Sequence, residues 1–181
     1  MTHTKCKATL ALLLLTGATM LAGCAGTPPK AEFVQKPKES FKVTSGDKTV
    51  VNLTPASGVE MAKYEKDRLS QVIEGEIDKM KSLNAGAASE RDYDVEVLIT
   101  RYEKGNAFAR AMLMGLGQIH IDGDVTVYAL PDKTKVSEFT VKKTFAWGGI
   151  YGGTTRIEDV EPAFADGIAM ALTGREAEPA K

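Results

Sequence analysis

The spacing of apolar and polar residues predicts the order of elements along the chain. From Ala62 to Met80, large apolar residues recur every three or four positions and charged residues fill the other side. That period is typical of an amphipathic helix, and Asn84-Ala85-Gly86 marks its end. In the segments 93–100 and 119–127 apolar and polar residues alternate, which predicts two half-buried strands.

Two further strand regions complete the predicted sheet. The segment 41–53 has short apolar runs around a turn-prone Ser-Gly-Asp, which predicts one or two short strands. The segment 136–145 predicts a strand whose register the apolar spacing leaves open. Because the turn-forming residues Pro131–Thr134 precede it, we expect a hairpin with the strand before.

A second amphipathic helix closes the pattern, with apolar residues from Ile157 to Leu172 and a C-terminal cap at Gly174. Two starts are open. Thr155 and Glu158 have the spacing of a capping box, whereas Pro162 fits the first turn of a helix that Asp159 caps. The whole order predicts an α/β (α+β) fold, a two-layer sandwich in which two main helices cover one face of a small mixed sheet.

The first residues read as an export signal. A basic start, Met1–Lys7, precedes an apolar run, Ala8–Leu21, that is shorter than the roughly 20 residues a spanning helix needs. The next residues, Leu21, Ala22, Gly23 and Cys24, resemble the lipobox of bacterial lipoprotein precursors. The resemblance implies that residues 1–23 are removed and that Cys24 carries a lipid whose acyl chains include palmitate. The alternative is an ordinary secretory signal with an incidental cysteine.

The composition of the mature chain predicts a tether, a domain and a tail, and it disfavours one class of partner. Prolines and lysines in residues 24–40 predict a flexible tether after the lipidated cysteine, although a loop of the domain is the alternative. We expect one domain over 41–174 and a polar tail over 175–181. Loss of two lysines with the signal shifts the net charge from −1 to about −3, which disfavours nucleic-acid binding.

Catalytic and metal chemistry find little support in the sequence. His120 is the one histidine left after signal removal, and it shares a strand face with Asp122 and Asp124. Too few metal ligands accompany it, so we interpret the cluster as a solvated strand face. We assign Asp159 and Glu161 to helix-end electrostatics. The sequence therefore predicts no catalytic residue, no metal and no cofactor.

Two segments are rich in glycine. Segment 105–117 links two of the predicted strands, and segment 148–153 links the predicted hairpin to the last helix. Paired glycines favour tight turns here over a phosphate-binding loop. Aromatic and apolar residues within and beside these segments predict an apolar surface at one end of the sheet, although they could instead cap the core. The candidate binding residues are Phe108, Arg110, Met112, Trp147 and Tyr151.

Three segments carry a family resemblance: Val97–Asn106, Ala109–Gly117 and Lys143–Glu161. They resemble the domain-of-unknown-function family 4410 of bacterial lipoproteins, and the resemblance covers Val50–Leu172. It implies an α/β domain of the lipoprotein class. Because the family has no established activity, the resemblance supplies no catalytic residue.

Together these features predict a non-enzymatic binding or adaptor protein of the cell envelope. The lipid on Cys24 would attach it to the outer membrane, facing the periplasm, because Ala25 follows the cysteine; the inner membrane is the less favoured site. Its expected partner is an envelope protein or the cell wall. The alternative is a small-ligand or lipid-binding module that uses the loops at 105–117 and 147–153. The sequence does not indicate an oligomeric state.

Overall fold

The structure is a computed structural model that describes residues 29–84, 90–113 and 115–175. It contains five strands and four α-helices, with a short 3-10 helix at Glu39–Phe41. In chain order they are β1 (Lys30–Gln35), β2 (Lys48–Pro55), α1 (Lys63–Ser82), β3 (Asp92–Glu103), α2 (Ala107–Met112), β4 (Ile119–Ala129), β5 (Thr134–Phe145), α3 (Gly149–Thr154) and α4 (Ile157–Thr173).

The five strands form one mixed sheet in the order β1-β5-β4-β3-β2. β2 and β3 are parallel because α1 carries the chain back between them, and the other neighbouring strands are antiparallel. The predicted hairpin is present, since β4 and β5 pair in register from Ile119–Phe145 to Ala129–Thr134. β4 and β5 therefore bring residues 119 and 145, and the loops beyond them, to the same end of the sheet.

α1 and α4 cover one face of this sheet, as the apolar stripes predicted. Leu69, Ile73 and Ile77 on α1 are fully buried, as are Phe164 and Ile168 on α4. Each such side chain contributes about 1.5–3 kcal/mol when it is removed from water. The opposite face of the sheet carries mainly polar side chains and no helix among the described residues. The predicted two-layer α/β class is confirmed.

The tether prediction is wrong in its extent, because β1 lies inside residues 24–40. Lys30 pairs with Lys142 and Gln35 with Glu138, so this segment is an edge strand of the domain. The Phe33 ring lies 5.3 Å from that of Phe139. The strand has few large apolar residues and prolines at both ends, and prolines are tolerated at the ends of an edge strand.

The start of α4 also differs from the predicted capping box. The helix begins at Ile157, and the Asp159 carboxylate accepts a hydrogen bond from the Arg156 amide at 2.8 Å. Asp159 therefore caps from inside the first turn, and the pairing of Thr155 with Glu158 does not form. Pro162 lies within the helix, and Gly174 ends it with a left-handed backbone as predicted.

Within the described residues, no helix is both long and apolar enough to cross a membrane. The lipobox residues Leu21, Ala22, Gly23 and Cys24, and nearly all of the predicted tail, lie outside the described residues.

Candidate functional site

Two short helices, α2 and α3, pack together where the sheet ends at residues 119 and 145. Asn106 caps α2, because its side-chain oxygen accepts the Ala109 amide at 2.9 Å. Small residues form the contact between the helices: a Cβ at Gly153 would lie 2.9 Å from the Ala111 Cβ. The predicted turns at the glycine-rich segments are thus partly helical, and their small residues point inward.

Arg110 joins these two helices from the inside. Its side chain is only 3% exposed. Nε donates to the Gly152 carbonyl at 2.8 Å and Nη2 to the Thr155 carbonyl at 2.8 Å. Nη1 donates to the carbonyls of Gly117 at 2.7 Å and Lys104 at 3.2 Å. The guanidinium therefore satisfies main-chain oxygens on both sides of the α2–α3 contact, which an uncharged side chain of similar size could not do.

Glycines are required where the backbone approaches this guanidinium. Gly105 has φ +64°, and a Cβ there would lie 2.2 Å from the Gln118 carbonyl oxygen. A Cβ at Gly117 would lie 2.3 Å from the Asn106 carbonyl oxygen, and one at Gly152 would lie 2.0 Å from that of Trp147. Side chains at these positions would push apart the segments that Arg110 holds.

Large apolar side chains project outward from the same two segments. Of the twelve exposed large apolar side chains in the described residues, seven lie here, although the segments are short. Ile150 is 88% exposed and Phe108 is 71% exposed. We call this set the apolar loop surface: Phe108, Met112, Leu113, Leu116, Trp147, Ile150 and Tyr151. A concentration of this kind marks a contact site in soluble domains.

The apolar loop surface carries no exposed charge. Residues 105–117 and 144–155 contain a single charged residue, Arg110, and its side chain is buried. Aromatic contacts order part of the surface, since the Tyr151 ring lies 5.6 Å from that of Trp147 and 5.9 Å from that of Phe145. The surface is therefore suited to an apolar partner, and electrostatic recognition has little to act on.

The structure separates the five candidate binding residues into two groups. Phe108, Met112, Trp147 and Tyr151 are exposed and share the apolar loop surface. Arg110 is not on that surface, because its guanidinium turns inward to the main-chain carbonyls. The exposed side chains project from the domain into solvent, an arrangement that suits contact with a surface.

A cluster of three polar side chains, Arg68, Tyr102 and Glu161, links the two long helices to the sheet. Nε and Nη2 of Arg68 donate to the Glu161 carboxylate at 2.8 and 2.9 Å, and the Tyr102 hydroxyl donates to it at 2.7 Å. The hydrogen bonds to Glu161 raise the pKa of Arg68. Burial, with the hydrogen bond to Glu161, raises the pKa of Tyr102. Arg68 thus stays charged and the Tyr102 hydroxyl stays protonated at neutral pH, and both contact the Glu161 side chain, which is 1% exposed.

The inward position of Tyr102 does not follow from the sequence pattern, for a local reason. The strict alternation of β3 would place Arg101 on the buried face, but the register of β3 against β4 shifts between Ile99 and Arg101. This bulge turns Tyr102 inward, towards Glu161. Glu161 is therefore a buried ion-pair partner, and helix-end electrostatics do not explain it.

Lys104 joins the Arg110 site to α1. Its carbonyl accepts the bond from Arg110, and its ammonium group pairs with the Glu65 carboxylate at 2.7 Å. Burial opposes ionisation of Glu65, but hydrogen bonds from Lys104 and the Ala62 amide, with the nearby positive charges, lower its pKa overall. The carboxylate also caps α1, because it accepts the Ala62 amide at 2.9 Å.

His120 lies on the open face of the sheet, as its position out of phase with Ile119 and Ile121 predicted. Its Nδ1 is 3.0 Å from the Thr144 hydroxyl. Burial, together with the charge of Arg101, lowers its pKa. Among residues 29–84, 90–113 and 115–175, no three histidine, cysteine or acidic side chains are placed to hold a metal ion.

The fold and the site thus define the class of this protein: a two-layer α/β domain with an exposed apolar end. The chain belongs to the family described as a domain of unknown function, DUF4410, whose model matches residues 36–149. A search of the curated proteins finds none that matches it.

Solved structures are similar to this chain at low sequence identity. The PelC dodecamer from Paraburkholderia phytofirmans is 10% identical with a TM-score of 0.52, over 82% of this chain and 99% of that one. A protein from Xanthomonas campestris of family DUF330 is 14% identical with a TM-score of 0.43, over 77% of this chain and 88% of that one. A candidate lipoprotein from Caulobacter crescentus is 14% identical with a TM-score of 0.39, over 68% and 85%. Of these three, the PelC structure has a TM-score above 0.5, and this likeness supports the fold alone.

Proposed function

We propose that this chain is a lipid-anchored, non-enzymatic binding or adaptor protein of the cell envelope, and that the apolar loop surface is a contact site. One observation carries the proposal: Arg110 and three close-packed glycines hold seven exposed apolar side chains on a defined backbone. Ordering those loops costs conformational entropy, and their exposed side chains gain no burial within the chain. A partner outside the chain accounts for that arrangement.

The anchor in this proposal is a lipid on Cys24, in an outer membrane whose periplasmic side the domain faces. Its support is the sequence Leu21 to Cys24 directly after a short apolar run. Two or more acyl chains bind a membrane stably, whereas one chain binds only marginally. The anchor would restrict the domain, with its apolar loop surface, to a layer next to the membrane.

A non-enzymatic role is supported by what the ionisable side chains do. Arg68, Tyr102 and Glu161 satisfy one another, and Glu65 caps a helix. These groups stabilise the fold, which gives each a role without a substrate. A His120→Ala variant that retained the envelope phenotype of the wild-type chain would support this part of the proposal, and loss of that phenotype would contradict it.

The anchor is tested by expressing the full chain in a Gram-negative host and comparing two cysteine variants. Cys24→Ala should leave the membrane fraction, and mass spectrometry should find acyl chains on Cys24 of the wild-type protein. Cys6→Ala is the matched control, because Cys6 is the only other cysteine and lies in the predicted signal. It should stay membrane-bound and acylated. Wild-type protein in the soluble fraction, or unmodified Cys24, would contradict the proposal.

A further inference from the structure

The point where the chain enters the domain lies towards the same end as the apolar loop surface. Lys30, the first residue of β1, pairs with Lys142, three residues before the end of β5 at Phe145. Because β1 runs antiparallel to β5, the N-terminal end of β1 faces the end of the sheet that carries α2 and α3. Pro29 already packs closely against α4, since a Cβ at Gly167 would lie 2.8 Å from the Pro29 Cβ.

The connection from Cys24 to Lys30 is too short to hold this end away from a membrane. Six residues span at most about 20 Å when fully extended. About 10 Å of that length is needed to pass from the level of Lys142 to that of Phe145, at about 3.3 Å per residue. The remaining reach of about 10 Å is comparable to the depth of α2 and α3 themselves.

We infer that the apolar loop surface rests on the lipid bilayer that holds the anchor, with Trp147, Tyr151 and Ile150 in the interfacial layer. The inference deepens the proposed function and rests on lipidation of Cys24. Tryptophan and tyrosine favour the membrane interface, because each combines an apolar ring with a hydrogen-bonding group. The bilayer is the partner that the short connection places beside this surface.

The absence of charge on the surface specifies how the contact is made. Segments 105–117 and 144–155 have no exposed lysine or arginine. The flanking Lys104 pairs with Glu65, and Arg156 precedes the acidic Glu158 and Asp159, so the contact is apolar and depends little on anionic lipid headgroups. Binding should therefore occur on neutral phosphatidylcholine vesicles and should change little with salt. A basic peripheral surface would behave in the opposite way.

Trp147 provides an internal probe, because it is the only tryptophan in the chain. The acylated full-length product is purified, reconstituted into phosphatidylcholine vesicles, and compared in vesicles whose acyl chains carry bromine near the headgroup. We expect at least about a twofold loss of Trp147 fluorescence in the brominated vesicles, equal at low and high salt. An acylated, vesicle-bound chain whose Trp147 is not quenched would overturn the inference.

Two variants separate the surface from the anchor. Met112→Asp combined with Ile150→Asp places charges on two exposed positions, so the chain should still pellet with vesicles through its lipid while quenching falls to background. Val34→Asp is the matched control: Val34 is 75% exposed but lies on β1, outside the apolar loop surface. Equal quenching in the double variant and the control would overturn the inference.

The failures of the two proposals are distinguishable. An unmodified Cys24 in the purified protein contradicts the proposed anchor, and the bilayer contact is then rejected with it. Acylated protein without quenching contradicts the bilayer contact alone and leaves the anchor intact.

Discussion

Arg68 and Arg110 show two ways in which this chain uses an arginine inside the fold. Arg68 joins α1 to α4 through a bidentate ion pair with Glu161, and its side chain remains 29% exposed. Arg110 is almost fully buried and meets only main-chain carbonyl oxygens in the described part of the chain. The first arginine neutralises a buried carboxylate, whereas the second gives two glycine-rich segments a fixed shape.

The stability of the whole fold and the shape of the apolar loop surface therefore depend on different arginines. Removing Arg68 leaves a buried charge between the two main helices, so the whole fold should suffer. Removing Arg110 leaves carbonyl groups in peripheral loops that can open to water without unfolding the core. The arginine that matters less for global stability should therefore matter more for the apolar loop surface.

The largest effect is expected from Arg68→Met. It leaves Glu161 buried without its cation, which should lower the free energy of unfolding by about 3 kcal/mol in urea denaturation. Combining it with Glu161→Met should recover much of that loss, because both charges are then absent. Arg68→Lys should fall between, since an ammonium cannot make the bidentate contact. A loss below about 1 kcal/mol for Arg68→Met would show that the pair is not an important contact.

Arg110→Met should have a smaller global effect, of about 1–2 kcal/mol, because the loops can open locally. Amide hydrogen exchange should reveal the difference: residues 105–117 and 148–155 should exchange at least about tenfold faster, while α1 and α4 stay protected. Arg110→Lys should not restore protection, since one ammonium cannot reach all four carbonyls. Uniform acceleration across the chain would contradict a local role.

Two glycines of α3 test how closely its backbone packs. Gly152→Ala should cost about 2 kcal/mol in thermal or urea unfolding, because its Cβ would meet the Trp147 carbonyl oxygen at 2.0 Å. Gly149→Ala is the matched control. Its φ is +70° but no atom lies within 4 Å of its Cβ, so only backbone strain of about 1 kcal/mol remains. Equal losses would show that the close approach at Gly152 is easily relieved.

The smallest effect concerns Glu65 and its dependence on pH. Its pKa is lower in the folded chain than the usual 4.5, so the charge stabilises the fold above that pH and the contribution is lost as pH falls through the folded-state value. Glu65→Gln still accepts the Ala62 amide but carries no charge. At pH 7 the variant should be less stable by about 0.5–1 kcal/mol, because Lys104 is largely solvent-exposed. The difference should shrink in urea titrations below about pH 4.

The periodic part of the sequence predicted most of the fold. Stripes such as Leu69, Ile73 and Ile77 predicted a helix, and the alternation in residues 119–127 predicted a strand, because burial on one face imposes these periods. β1 was missed because pairing with β5, and not its own apolar content, makes it a strand.

The sequence indicates the exposed apolar residues of the candidate site, but it does not indicate the partners of the arginines, which depend on tertiary contacts. Exposed apolar residues such as Phe108 and Trp147 could be recognised from composition. The inward position of Arg110 could not, because its acceptors at Gly152 and Thr155 are more than 40 residues away and are main-chain atoms that any sequence supplies. The pairing of Arg68 with Glu161 spans 93 residues, and the contact of Tyr102 with Glu161 also depends on the bulge in β3.

The central claim is that the loop end of the domain contacts the membrane. The most direct test places a photo-crosslinking residue at Ile150, on the apolar loop surface, or at Asp132, in the exposed turn at the opposite end of the sheet. After irradiation of cells that express the full chain, mass spectrometry should find phospholipid adducts at position 150 and none at position 132. No lipid adduct at position 150, or equal lipid adducts at both positions, would contradict the account.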